Sequence, residues 1–157
     1  MERLTHALTF VAALGSGLMA GLFFVFSVTV MAALARLAPA NGLAAMQSIN
    51  VVVINPAFLG LFLGTAAFSV ALALVALIGG SAHPGLLLAG AIAYLVLTLG
   101  VTMACNVPRN GTLARLDPAT PDAEASWRRY VAEWTFWNHV RTAGGIVAAA
   151  LFALALR

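Results

Sequence analysis

Hydrophobic residues fill four long stretches of this chain, and the polar residues between them gather in clusters rather than alternating. No residue between Arg3 and Arg36 is charged, so Leu4 to Ala35 exceeds the ~20 residues a helix needs to cross the hydrocarbon core of a bilayer. A secretory signal would show a shorter apolar region of roughly 7–15 residues and then a small-residue cleavage site. The stretch is therefore read as a first span over about residues 6–35, with Gly17 and Gly21 as a GxxxG face for close helix approach. Pro39, Asn41 and Gly42 mark a turn. Beyond it Gln47, Asn50 and Ile54 share one helical face with Asn55 alongside, which predicts a short helix at the membrane interface. Pro56 suits the first turn of a second span over about residues 56–78, which carries a second GxxxG at Gly60 and Gly64.

The uncharged connection Gly79 to Gly85 predicts a tight helical hairpin into a third span over about residues 86–105. Pro108 disfavours helix at Val107, so Cys105 to Asn110 is read as a polar elbow where the chain leaves the membrane. A new helix is expected to start at Thr120-Pro121-Asp122-Ala123-Glu124, with Thr as cap, Pro at the first position and acids in the first turn. Nothing breaks it before Arg157; at 1.5 Å per residue it would be ~54 Å long, too long for a ~30 Å core. An amphipathic start over about residues 121–133 would project from the bilayer, with the fourth span over about residues 134–156. Trp127, Val131, Trp134, Asn138 and Arg141 recur at spacings of four and three, forming one seam. The expected fold is all-α: an integral membrane four-helix bundle whose last helix extends beyond the bilayer on the cytoplasmic side.

Composition agrees. Of 157 residues 62 % are hydrophobic and 8 % charged, against about a quarter charged in soluble domains. The length suits one domain. The net charge of +3 is too small and scattered to suggest nucleic acid. Arg36, Arg109, Arg115, Arg128 and Arg129 lie on the connections to one side of the four spans, and only Arg3 and Arg157 on the other. The positive-inside rule then predicts a multi-pass protein of the cell membrane with both termini on the non-cytoplasmic side. Cys105, the single cysteine, excludes an intrachain disulfide and a cysteine metal cluster.

Arg141 and its neighbours place a guanidinium, an amide and an imidazole in a span, where charged groups are rare and by default functional. The predicted topology gathers Gln47, Asn50 and Asn55, Asn106 and Asn110, and Asn138 with Arg141 into one polar layer near the cytoplasmic face. Plainer roles exist: Arg141 could snorkel to headgroups, the asparagines could cap helices or join them, and Trp127, Trp134 and Trp137 could form an interfacial belt. Convergence on one face favours a site. His139 lies about 160° around the helix from Arg141, so the two are not expected to share a pocket. His6 and His83 lack a carboxylate or cysteine to complete a metal site, and no phosphate loop, nucleophile elbow or carboxylate pair is present.

The blocks Gly21 to Ser27, Met46 to Asn50, Asn55-Pro56, Asn106 to Asn110 and Trp134 to Thr142 resemble the anthrone oxygenase-like membrane family over nearly the whole chain. The resemblance implies four membrane helices and oxidation of anthrones to anthraquinones by molecular oxygen without a cofactor. In that chemistry Arg141 would stabilise an oxyanion and His139 would be the candidate base, despite its face. Asn50, Asn55, Asn106, Asn110 and Asn138 would orient phenols, and Trp134 and Trp137 would stack on the rings of a lipophilic aromatic substrate. Two positions depart from the family pattern: Ala32 where a proline is expected, and Arg109 where an apolar residue is expected. The competing expectations are a non-catalytic protein binding a quinone, lipid or partner protein, and a transporter, disfavoured by the lack of a broken helix at mid-membrane. Four thin helices leave little room for a pocket, so a homo-oligomer is also expected.

Overall fold

The computed structural model describes residues 2–79, 81–120 and 122–157, and every regular element among them is helical. The helices are α1 (Glu2–Leu34), α2 (Pro39–Val52), α3 (Pro56–Leu77), α4 (Pro84–Leu113) and α5 (Ala123–Leu154). Three of them, α1, α3 and α4, are long and apolar enough to cross a membrane. Only 28 % of the most apolar window of α3 is buried, and Leu63, Val70, Leu74 and Leu77 point outward. Surface of this kind suits lipid, not water; the chain is a membrane protein. The 32-residue α5 is less apolar because it carries Glu124, Arg128, Arg129 and Glu133 in its first part and Asn138, His139 and Arg141 further on.

α5 packs most extensively on α1 and also on α4, while α3 packs on α1 and on the first part of α4. These four helices enclose one core that includes Met19, Phe62, Leu72, Leu87 and Phe152. A second core, with Met31, Leu43, Met46, Leu113 and Trp127, lies beneath α2. Polar side chains lock the helices together between and within these cores. The Tyr94 hydroxyl donates to the Phe62 carbonyl at 3.0 Å, tying α4 to α3, and Thr98 Oγ1 donates to the Arg141 carbonyl at 3.2 Å, tying α4 to α5. Such interhelical bonds each contribute about 0.6 kcal/mol in a membrane.

The structure differs from the sequence reading at four places. α4 does not stop before Pro108. The stretch Thr102–Asn106 is π-helical, and the Val107 amide reaches back five residues to the Thr102 carbonyl. Pro108 thereby falls in the first turn of a renewed α-helical segment, where a missing N–H costs little, so the helix runs on to Leu113. Likewise α2 begins at Pro39 instead of after a turn there. Gly42 is needed for close packing: a Cβ would lie 2.8 Å from the Leu34 carbonyl oxygen and 2.9 Å from the Trp127 ring.

The start of α5 also moves. Its N-cap residue is Asp122, and the Thr120 hydroxyl donates to the Asp117 carbonyl instead of capping; Pro121 lies outside the described residues, as does Gly80 of the hairpin. Finally, the two GxxxG faces are not the close contacts. A Cβ on Gly17, Gly21, Gly60 or Gly64 would meet nothing within 4 Å. Close approach is made by Gly15 against Thr65, Gly90 against Phe152, Gly144 against Leu97, and Gly145 against Ala20.

Candidate functional site

Arg141 is 5 % exposed and has no carboxylate partner among the described residues. One Nη donates to Asn138 Oδ1 and the other lies 3.4 Å from Thr102 Oγ1, while Nε has no hydrogen bond. Two aromatic faces flank the cation, with Cζ 4.2 Å from the Phe23 ring centroid and 5.1 Å from that of Trp134. Cation–π contact of this kind contributes up to about 2 kcal/mol when desolvated. It offsets part of the cost of burial and leaves the positive charge uncancelled.

Asn138 explains the guanidinium's pose. Its side chain is fully buried, and its Nδ2 donates to the Phe23 carbonyl and to Ser27 Oγ, each at 2.6 Å. With the amide nitrogen committed to α1, the oxygen must face Arg141 one turn along α5. The π-helical turn Phe26–Val30 in α1 includes Ser27, and the π-helical stretches Ala93–Gly100 and Thr102–Asn106 of α4 carry Thr98, Thr102 and Asn106. Irregular turns of this type commonly reposition side chains at functional sites.

A cavity of about 360 Å³ opens beside the cation, within the ~300–1,000 Å³ range of small-molecule sites. Phe23, Met46, Phe58 and Phe62 make much of its wall apolar, and Asn50, Thr102, Asn110, Trp134 and Arg141 supply the polar groups. Asn110 Oδ1 accepts from the Tyr130 hydroxyl at 2.9 Å and from Trp134 Nε1 at 2.8 Å, leaving its Nδ2 as a donor for the cavity. Asn50 Nδ2, near the Tyr130 hydroxyl, is buried without a hydrogen bond of normal geometry. Burial raises the Tyr130 phenol above its ordinary pKa, partly opposed by Asn50 and by the Arg141 charge, so the group stays a neutral donor. Arg141, Asn50 and Asn110 thus offer the cavity N–H groups and no carboxylate, a donor set that suits an oxygen carrying negative charge.

Among the residues singled out in the sequence, Asn50, Asn110, Trp134 and Arg141 line this cavity. Asn138 and Asn106 stand behind it: Asn106 Nδ2 donates to the Trp134 carbonyl at 3.2 Å, and its Oδ1 is buried without a partner. Three do not reach it. His139 is exposed on the outer groove between α1 and α5, beside Ala32 and Thr135. Asn55 caps α3, accepting from the Ala57 and Phe58 amides. Trp137 packs edge-on against Phe136, with the Arg109 guanidinium 6.0 Å from its ring. Arg109 itself pairs with Glu133 at 3.0 Å on a separate surface groove, so this departure from the family pattern does not touch the cavity. Sequence reasoning missed Phe23, Ser27, Thr102 and Tyr130. The four-residue step from Phe23 to Ser27 marks one face of α1, but a phenylalanine in an apolar run carries no signal of its own.

The anthrone oxygenase family profile matches residues 51–151, nearly two thirds of the chain and most of the cavity's lining. The chain belongs to the anthrone oxygenase family. No curated protein and no solved structure matches it. For this anthrone oxygenase-family protein, the matched region contains α3, α4, Asn106, Asn110, Trp134, Asn138 and Arg141, but not Phe23, Ser27 or Asn50.

Proposed function

We propose that this protein is a membrane-embedded, cofactor-independent oxygenase acting on an anthrone-type or related lipophilic polyphenol. The observation that carries the reading is the buried Arg141 guanidinium, unpaired by any carboxylate among the described residues and set in the wall of an aromatic cavity. An anthrone loses a methylene proton to give a carbanion whose charge delocalises onto the carbonyl oxygen. Arg141, with Asn50 and Asn110, would bind that oxyanion in a low-dielectric site, where fixed donors act most strongly. The electron-rich anion then reduces molecular oxygen. One oxygen atom becomes the new carbonyl, the other leaves as water with the two methylene hydrogens, and the aromatic walls hold the rings in place. Among the described residues no imidazole or carboxylate lines the cavity, so water or the substrate's own phenolate takes the first proton and His139 has no part in that step.

In the bilayer, α5 would form the fourth span. Its polar side chains Asn138 and Arg141 are turned inward, while Phe136, Ile146, Val147 and Leu154 face outward. With four spans the Arg-rich connections face the cytoplasm of the cell membrane and both termini the opposite side. A single chain already encloses the cavity, which removes the narrowness argument for a homo-oligomer.

Oxygen uptake with emodin anthrone in membranes containing the wild type, Arg141→Ala or no protein tests the activity. A wild-type rate equal to that of empty membranes would overturn it. The second reading, a protein that binds a quinone or lipid without turnover, draws on the same apolar cavity and its lack of a base. It is favoured if a quinone or lipid co-purifies with wild type but not with Arg141→Ala and no oxygen is consumed.

A further inference from the structure

The cavity is closely packed at the end nearest the connections and open sideways. At the end nearest the connections, Gln47 Nε2 donates to the carbonyls of both Leu113 and Leu116 at 2.9 Å, strapping α2 across the end of α4. Below the strap, Trp127, Tyr130 and Trp134 stack in sequence, with centroids 5.8 and 6.3 Å apart. The Tyr130 and Trp134 donors converge on Asn110 and tie α5 to α4 at this end.

The opposite situation holds between α3 and α4. The two helices pack against each other along Pro84–Ile92, less along Ala93–Gly100, and then part. Four cavity-lining residues at this gap, Ile54, Leu63, Met103 and Val107, are 46–68 % exposed and wholly apolar. Val51 and Val52 at the end of α2 continue the same exposed apolar surface beside the gap. A mouth rimmed by such residues would be an unfavourable opening to water and suits the acyl-chain region. The apolar opening that this arrangement leaves between Arg141 and the outside is lateral.

We infer that the cavity is loaded from the bilayer leaflet through a portal between α3 and α4, by a lipid-dissolved molecule with an apolar body and one acidic oxygen. The portal rests on the reading of the Arg141 cavity as an oxyanion site. The acidic oxygen travels to the cation while the apolar body trails towards the rim. Molecular oxygen, itself more soluble in hydrocarbon than in water, takes the same path.

Because the route of access changes rates and not equilibria, the test is kinetic. Emodin, a polyphenol with acidic hydroxyls, is mixed rapidly with the full-length protein in phosphatidylcholine vesicles at fixed lipid concentration, and binding is followed by quenching of tryptophan fluorescence. The double variant Leu63→Phe/Met103→Phe narrows the rim with side chains that face lipid, so folding is not at stake. It is expected to slow association and dissociation together by about tenfold, leaving Kd within about threefold of wild type, whereas Arg141→Ala raises Kd chiefly through faster dissociation. Gln47→Ala, which loosens the strap, is expected to leave association unchanged. Unaltered rates in the rim variant, or faster association in Gln47→Ala, would overturn the portal, and so would a wild type that does not bind emodin. Oxygen uptake with emodin anthrone is measured separately. Portal-dependent binding without uptake removes the oxygenase and keeps the portal; uptake with rim-independent binding does the reverse.

Discussion

Asn138 turns its side-chain oxygen to the Arg141 guanidinium because its amide nitrogen is held by the Phe23 carbonyl and the Ser27 hydroxyl of α1. The pair therefore reports on both packing and charge, and two substitutions separate these. Asn138→Leu keeps the volume and strips partners from buried polar groups, including a cation. It should lower stability by about 2–4 kcal/mol, read as thermal unfolding in detergent. Asn138→Asp supplies an internal counter-ion. It is expected to remain folded, though less stable because of the Phe23 carbonyl, and to lower anthrone turnover by about tenfold or more through neutralising the cation. Full turnover in Asn138→Asp would show that the free charge of Arg141 is not used.

Substitution of Arg141 itself should follow its geometry. The planar guanidinium fits between the Phe23 and Trp134 faces and bonds in two directions. A lysine ammonium can restore charge but not that fork or stacking. If the cation stabilises an oxyanion, Arg141→Ala lowers kcat by about 10²–10³ fold, the usual scale for an oxyanion donor. Arg141→Lys should recover part of that loss and stay about tenfold below wild type. Equal rates for Ala and Lys variants would indicate a structural role for the arginine.

Glycine substitutions test which helix faces carry the packing. At Gly144 a Cβ would lie 2.6 Å from Leu97 Cβ and 3.0 Å from Thr98 Oγ1, so α4 and α5 must separate to accept it. Gly144→Ala should cost about 1–3 kcal/mol. Gly17→Ala meets nothing within 4 Å and should be neutral or stabilising by up to about 1 kcal/mol, since alanine is the better helix former. Thermal unfolding of both variants in detergent decides the matter. A loss at Gly17 as large as that at Gly144 would reveal a neighbouring copy packed on that face.

The seam along α5 was legible because helical periodicity is strict: the 127, 131, 134, 138, 141 spacing keeps those side chains on one face, and four are buried while Val131 is half-buried. The convergence of Asn50 and Asn110 on Arg141 was legible because four apolar stretches force their connecting residues to alternate ends. What the sequence concealed lies in local backbone register and in contacts between helices. Pro108 reads as a breaker until the π-helical turn before it shifts the hydrogen bonds by one residue. The GxxxG spacing of Gly17 and Gly21 says that a close approach is possible there, but the partner helix sits instead at Gly15 and Gly145. Asn55 and Trp137 have site-like chemistry and face elsewhere, since one caps α3 and the other lies off the buried seam.

Glu133 gives a pH signature away from the cavity. Its carboxylate accepts from Arg129 Nε at 2.7 Å and from Arg109 Nε at 3.0 Å, bridging α5 to the late turns of α4. The Arg129 hydrogen bond is the largest cause holding its pKa below the usual carboxylate range, with Arg109 adding to it and desolvation opposing. A carboxyl with a depressed folded-state pKa contributes stability that is fully present above its unfolded pKa, ~4.3, and is lost as pH falls through the lower folded value. The unfolding temperature of wild type should therefore fall as pH drops below about 4.3 and through the lower folded value. Glu133→Gln removes the titrating group and should flatten that part of the decline, while starting from a lower value at pH 7 because the bridge between Arg109 and Arg129 is gone. Parallel pH profiles for the two proteins would mean that the bridge does not hold α4 to α5 in solution.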